Sequence, residues 1–231
     1  MAYVKRIVCL ANSIKIGGSC IAGREVLGND RYGSWIRPVS ARVSAEVSEL
    51  ECKYENNTIP KLLDIIDVPL LNAAPHGHQT ENHVIDTRKR WIKRGRLPWE
   101  DLPQLRERPE SLWINSDRTA SGAFNCISHA EAATLHDSLV LIKKKAFTVE
   151  VGSKTWNDKT TRTYRGKFAY KDVDYSLSLT DPAAIAVFAE SKEGDYELND
   201  VYLCVSLTEP WAKDNNRCHK LAAAVMSDPP L

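Results

Sequence analysis

Short apolar runs rich in β-branched residues recur along the whole chain, each closed by turn-forming residues, and this spacing predicts a strand-rich protein. Val4 to Leu10 ends at Asn12-Ser13, and Ser19 to Val26 follows Gly17-Gly18, so the pair predicts an N-terminal hairpin. Ser34 to Val39, ended by Pro38, is a third strand. Leu63 to Leu71 is a fourth, with near-continuous aliphatics that suit burial on both faces. Past the middle, Ser138 to Ile142, Ala146 to Val151, Arg162 to Tyr170, Asp174 to Leu179, Val201 to Leu207 and His219 to Met226 have the same character. Asp172-Val173 is assigned to a turn, and a polar loop with Asn215 and Asn216 separates the last two runs. Two segments carry helix starts instead. Ser128-His129-Ala130-Glu131 has capping-box spacing and predicts a helix from His129 to about Asp137. Asp181-Pro182, a cap followed by proline, predicts one over Ala183 to Glu190.

About ten strands and two or three short helices within 231 residues suit two small barrels better than one sandwich. A five-stranded barrel with one short helix is the oligonucleotide/oligosaccharide-binding (OB) pattern. The fold expected is therefore mainly β with short helices, in two OB-like small barrels at residues 1–97 and 120–231. The connector is 98–119, where Pro98, Pro103 and Pro109 interrupt regular structure. A hydrophobic share of 43% with 26% charged residues is ordinary globular composition and excludes a largely disordered chain. No run approaches the roughly 18 apolar residues of a spanning helix, and the N-terminus lacks the apolar core of a secretory signal, so a cytoplasmic protein without membrane contact is expected. Cys9, Cys20, Cys52, Cys126, Cys204 and Cys218 are widely spaced with no C-x-x-C pair, which predicts reduced, mostly buried thiols.

A formal net charge of +1 provides no global field for nucleic acid, so any such field is local. Arg88-Lys89-Arg90-Trp91-Ile92-Lys93-Arg94-Gly95-Arg96 concentrates six cations in nine residues. Arg and Lys neutralise phosphates and Trp91 offers a stacking face; the competing reading is a solvated basic helix or loop. Lys143-Lys144-Lys145 is a smaller cluster. Trp35 and Arg37 alternate with Ile36 on a strand and so share one face, as an OB binding surface uses them, unless Trp35 belongs to the core. Gln79, Glu81 and Asn82, with Lys15 beside Gly17-Gly18, have the donors and acceptors of a ligand pocket; turn capping and a plain hairpin are the alternatives. His76, His78 and His83, near Glu81 and Asp86, have ligand-type side chains, but no cysteine lies within twenty residues, so an exposed loop is favoured and no metal or other cofactor is expected. Cys218 and His219 are adjacent and point to opposite faces of a strand, which disfavours a dyad between them and favours a buried thiol beside a surface imidazole. Asp64 with Asp67, and Asp172 with Asp174, read as turn and strand-end residues. No catalytic residue is assigned.

Several strings together carry a family likeness: Cys9-Leu10-Ala11-Asn12-Ser13, Gly17-Gly18-Ser19-Cys20-Ile21-Ala22-Gly23, Trp35-Ile36-Arg37-Pro38-Val39-Ser40 and Gln79-Thr80-Glu81-Asn82, then Leu179-Thr180-Asp181-Pro182, Tyr202-Leu203-Cys204-Val205-Ser206-Leu207 and Cys218-His219-Lys220-Leu221. They resemble the mainly bacterial family described as the dual OB-containing domain, over nearly the whole chain. The resemblance implies two OB folds and no established enzymatic activity, and it admits a setting among prokaryotic genes for DNA modification or defence against phage. Three readings follow: a module binding nucleic acid or a nucleotide, a nucleotide-processing enzyme using the His76 to Asp86 region, and a protein-interaction subunit of a defence complex. The first is preferred.

Overall fold

The computed structural model describes residues 2–15, 17–28 and 31–231. The chain divides into two compact units, Met1–Arg106 and Glu107–Leu231.

In the first unit the strands are β1 (Tyr3–Lys15), β2 (Gly18–Gly28), β3 (Arg31–Val39), β4 (Asp64–Ala73), β5 (Asn82–Ile85) and β6 (Ile92–Arg96), with helix α1 (Glu49–Cys52) between β3 and β4. The hairpin expected at the N-terminus is β1–β2, with Lys15 opposite Gly18. A bulge at Cys9/Ala11 bends β1, so that its first half pairs with β4 and its second half with β2. β3 then runs parallel to β5, Arg37 opposite Asn82, and β5 returns antiparallel along β4. The circuit β1-β2-β3-β5-β4-β1 closes a five-stranded barrel around Ile7, Cys9, Ile21, Ile36, Ile66, Val68, Leu70 and Ile85. Gly23 is required on β2, because a Cβ there would lie 2.0 Å from the Val8 carbonyl oxygen. β6 adds to β4 outside this circuit.

The second unit repeats the circuit. Its strands are β7 (Cys126–Ile127), β8 (Leu139–Trp156), β9 (Lys159–Tyr170), β10 (Val173–Leu179), β11 (Gly194–Leu207) and β12 (Cys218–Met226), with helices α2 (His129–Ala132) and α3 (Pro182–Val187). β8, β9 and β10 form an antiparallel meander, β10 pairs parallel with β12, and β11 joins β12 back to β8. Phe147, Phe168 and Tyr175 stack in its core at centroid separations of 5.9 and 5.4 Å. Gly166 on β9 leaves room for that stack, since a Cβ would meet the Phe147 ring at 2.5 Å. α3 sits between the third and fourth strands of this barrel as α1 does in the first. Asp181 caps it through the amides of Ala183 (2.9 Å) and Ala184 (3.3 Å).

Several boundaries differ from those the pattern predicts. Leu139 to Ile142 and Ala146 to Val151 belong to one continuous strand, β8, because Lys143 and Lys144 between them pair with Tyr202 and Val201 while the three lysine side chains reach solvent. The capping box at Ser128 is formed, but α2 ends after one turn at Ala132. The β9–β10 turn uses Lys171 and Asp172, both at positive φ, in place of Asp172-Val173. Within residues 98–119, Trp99–Leu105 forms a 3-10 helix of the first unit, while Leu112 joins the core of the second. No helix among the described residues is long and apolar enough to cross a membrane.

Candidate nucleic-acid interface

The basic segment is neither a helix nor a loop in its second half: β6 is hydrogen-bonded to β4. Trp91, read from sequence as a stacking platform, is fully buried among Tyr54, Ile66 and Val68 and offers no face to a base. The correction has a simple cause. Residue 54 bridges residue 91, and turning the indole inward removes its large apolar surface from water while leaving the flanking cations outside.

Three buried aspartates then hold four of those cations, and Arg6 from β1, in place. Asp67 on β4 lies opposite Arg6 on β1 and takes Arg6 Nε and Nη2 at 2.6 and 3.0 Å, with Arg94 Nε at 2.6 Å from the other side. These two guanidiniums, Arg6 foremost, hold the Asp67 carboxyl below its ordinary range. Asp64, fully buried, accepts from Tyr54 Oη at 2.9 Å; Lys93 Nζ lies 2.6 Å and Arg96 Nη1 3.9 Å from its Oδ1. Asp86 receives Arg88 in a two-pronged contact of 2.7 and 2.9 Å, which lowers its pKa. Arg90 donates to the Leu50 carbonyl at 3.3 Å, and Lys89 is exposed. Seven cations, Arg6 included, thus stand against three carboxylates, and each keeps a substantial part of its side chain in water. Such half-exposed pairs contribute little to stability, because water screens them and ordering both side chains costs entropy. Their effect is to set rotamers in advance, so that the remaining donors face solvent with less entropy left to lose on meeting an anion.

In OB folds the face of strands 2 and 3 and the loops joining strands 1–2 and 4–5 carry the ligand. In the first barrel these are β2–β3, the turn after Lys15 and residues 74–81. Of the residues proposed for a pocket, Gln79 and Glu81 lie in residues 74–81 and Asn82 opens β5, and their side chains are closed on one another or on Arg37. Arg37 N donates to the Glu81 carbonyl at 2.8 Å and its Nη2 lies 3.2 Å from Glu81 Oε1, both side chains being buried. Asn82 Nδ2 donates to Gln79 Oε1 at 3.3 Å, and the Ala74 amide to the Asn82 carbonyl at 2.8 Å. Trp35 is buried with the Arg24 guanidinium 5.9 Å from its ring centroid, so Trp35 and Arg37 do not present the open aromatic-cationic face expected of them. Lys15 ends β1, and its charge helps hold Glu46 below its ordinary pKa, a shift due first to Ser44.

The histidines do not converge. His76 is exposed, His78 is buried, and His83 Nδ1 lies 2.6 Å from Tyr3 Oη, with burial pushing its pKa down. Among the described residues no three His, Cys, Asp or Glu side chains are arranged to hold a metal. Cys218 packs with Ile127 and Leu207, whereas His219 lies against Trp211. In the lysine cluster, Lys143 lies 3.6 Å from Asp200 and over the Tyr202 ring, and Lys144 over that of Tyr170. Sequence reasoning missed two features of the second barrel: the exposed Trp211 in the β11–β12 loop, whose signal was an aromatic in an otherwise polar stretch, and the enclosed Lys220, which alternation alone would have shown pointing inward.

Two closed circuits of the same order, each with a short helix between its third and fourth strands, define a tandem OB-fold protein, a class whose generic work is binding oligonucleotides and oligosaccharides. The chain belongs to the dual OB-containing domain family, whose model matches residues 5–225. No curated protein and no solved structure gave a match.

Proposed function

We propose that this protein binds nucleic acid through the phosphate backbone, using the cationic face of β1, β4 and β6 with the Arg88–Arg90 turn. The observation that carries the reading is the row of buried aspartates, Asp64, Asp67 and Asp86, each orienting cations that remain half in water. A surface arranged only for solubility would not need buried carboxylates beneath it. The enzyme reading is less well supported, since His83 is engaged by Tyr3 and Asp86 by Arg88. Family resemblance supports a role in prokaryotic DNA modification or defence, with a partner protein of that system, in the cytoplasm as the sequence pattern suggests; loss of protection in a phage-challenge assay on deletion is the expected result, and unchanged protection would refute it.

The interface is tested by anisotropy titration of a labelled single-stranded oligonucleotide at several salt concentrations. Lys89→Glu with Arg90→Glu is the informative variant, because neither side chain holds a buried aspartate and the fold is left intact. It should weaken binding for all sequences alike and reduce the slope of log K against log salt by roughly 1.4, about 0.7 per lost phosphate contact. Absence of binding by the unaltered protein at low salt would overturn the reading.

A further inference from the structure

Trp211 lies in the loop joining the fourth and fifth strands of the second barrel and is 54% exposed, although an indole left in water forgoes a large burial gain. The loop that carries it is well ordered by hydrogen bonds. Trp211 N donates to the Arg217 carbonyl at 3.0 Å, and the Trp211 carbonyl accepts from Asp214 N at 2.9 Å and Asn216 N at 3.1 Å. Asn215 and Asn216 take the left-handed conformation that reverses the chain, with φ of 51° and 56°. The Arg217 guanidinium ties the loop down by gripping Asp214 and, at 3.1 Å, Asp117. His219 meets the indole edge-on, ring centroids 5.6 Å apart at 72°, and its Nε2 lies 2.9 Å from Asp214 Oδ2. The ring is therefore held at one side by a fixed imidazole while more than half of its surface stays in water. Lys213, exposed and two residues along, is free of the Asp214–Arg217 clamp.

We propose that Trp211 is the base-stacking platform of the second barrel, taking an unpaired nucleobase of single-stranded nucleic acid on its exposed surface, with Lys213 at the adjoining phosphate. The inference rests on the nucleic-acid reading above and gives it a preference for single strands, because a duplex hides the base faces that an indole would cover. Stacking accepts any base, so little sequence preference is expected. Within this loop Lys213 and Arg217 balance Glu209 and Asp214, which makes the contact one of surface burial rather than of charge.

The full chain is titrated with a labelled oligothymidylate and with a duplex of equal length. Trp211→Ala should weaken single-strand binding by about one to two decades and leave the salt slope unchanged. Trp211→Phe should retain most of the affinity, and duplex binding should be the same for all three proteins. Single-strand affinity unchanged in Trp211→Ala, while Lys89→Glu with Arg90→Glu still lowers it, would overturn the platform and leave the phosphate interface standing. Absence of binding by the unaltered chain at low salt would overturn both.

Discussion

Lys220 offers a test of the second barrel that requires no ligand. It lies on β12 with its side chain wholly enclosed, and its Nζ donates to the Ile114 carbonyl and to Asn115 Oδ1, each at 2.8 Å, beneath the Tyr175 ring at 5.3 Å. Among the described residues no carboxylate pairs with it directly, and burial pushes its pKa down to about 7. In the unfolded chain the value is about 10.4. Between those limits the unfolded chain carries a proton that the folded chain has released, so stability rises with pH across the window from about 7 to about 10. Below about 7 both states are protonated and the contribution is flat, with its cost fully present. One proton corresponds to about 1.4 kcal/mol per pH unit, which sets an upper figure of roughly 2.7 kcal/mol between pH 7 and 9. The two acceptors and the Tyr175 ring face around Nζ favour the ammonium and reduce this figure. Lys220→Met removes the titration but leaves the Ile114 carbonyl without its donor, at a cost of about 1–3 kcal/mol, while Asn115 Oδ1 still accepts from Tyr175 Oη at 2.9 Å. The two effects oppose each other at neutral pH, so the diagnostic is the slope. Urea unfolding followed by circular dichroism at pH 7, 8 and 9 should show the unaltered protein gaining stability relative to Lys220→Met as pH rises. Parallel profiles would refute the reasoning.

Two further outcomes are expected. Trp91→Ala should destabilise the first barrel by about 3–5 kcal/mol, as for other buried aromatic truncations, whereas Trp91→Phe should fold and bind oligonucleotide with unchanged affinity because the indole touches no base; both are read by denaturation and anisotropy. Native-state alkylation followed by mass spectrometry should modify Cys20 first, the one cysteine of the six that is not buried, with Cys52 and Cys218 further protected by thiol pKa values pushed up to about 11 by burial.

By itself the sequence determined those features that depend on neighbours along the chain. The hairpin of β1 and β2 follows from two apolar runs around a glycine pair. The capping box at Ser128 and the Asp181-Pro182 start are formed as read, because a cap is satisfied by amides two or three residues away. The two-barrel architecture was legible as well, from strand number, short helices and family likeness. Tertiary structure decided what depends on partners far away. Asn82 to Ile85 becomes a strand because β3 and β4 supply its ladder, although its own run is too short to signal one. Trp91 reads from sequence as a stacking face in a basic run, and the pairing of β6 with β4 and the bridge to Tyr54 placed it in the core instead. Asp64 and Asp67 look like turn and strand-end residues until β1 and β6 bring Arg6, Lys93 and Arg94 to them. Trp211 shows the converse: its loop was legible, but its exposure follows from the Arg217 clamp and the edge-on His219, contacts made only when β12 and the segment at Asp117 come together.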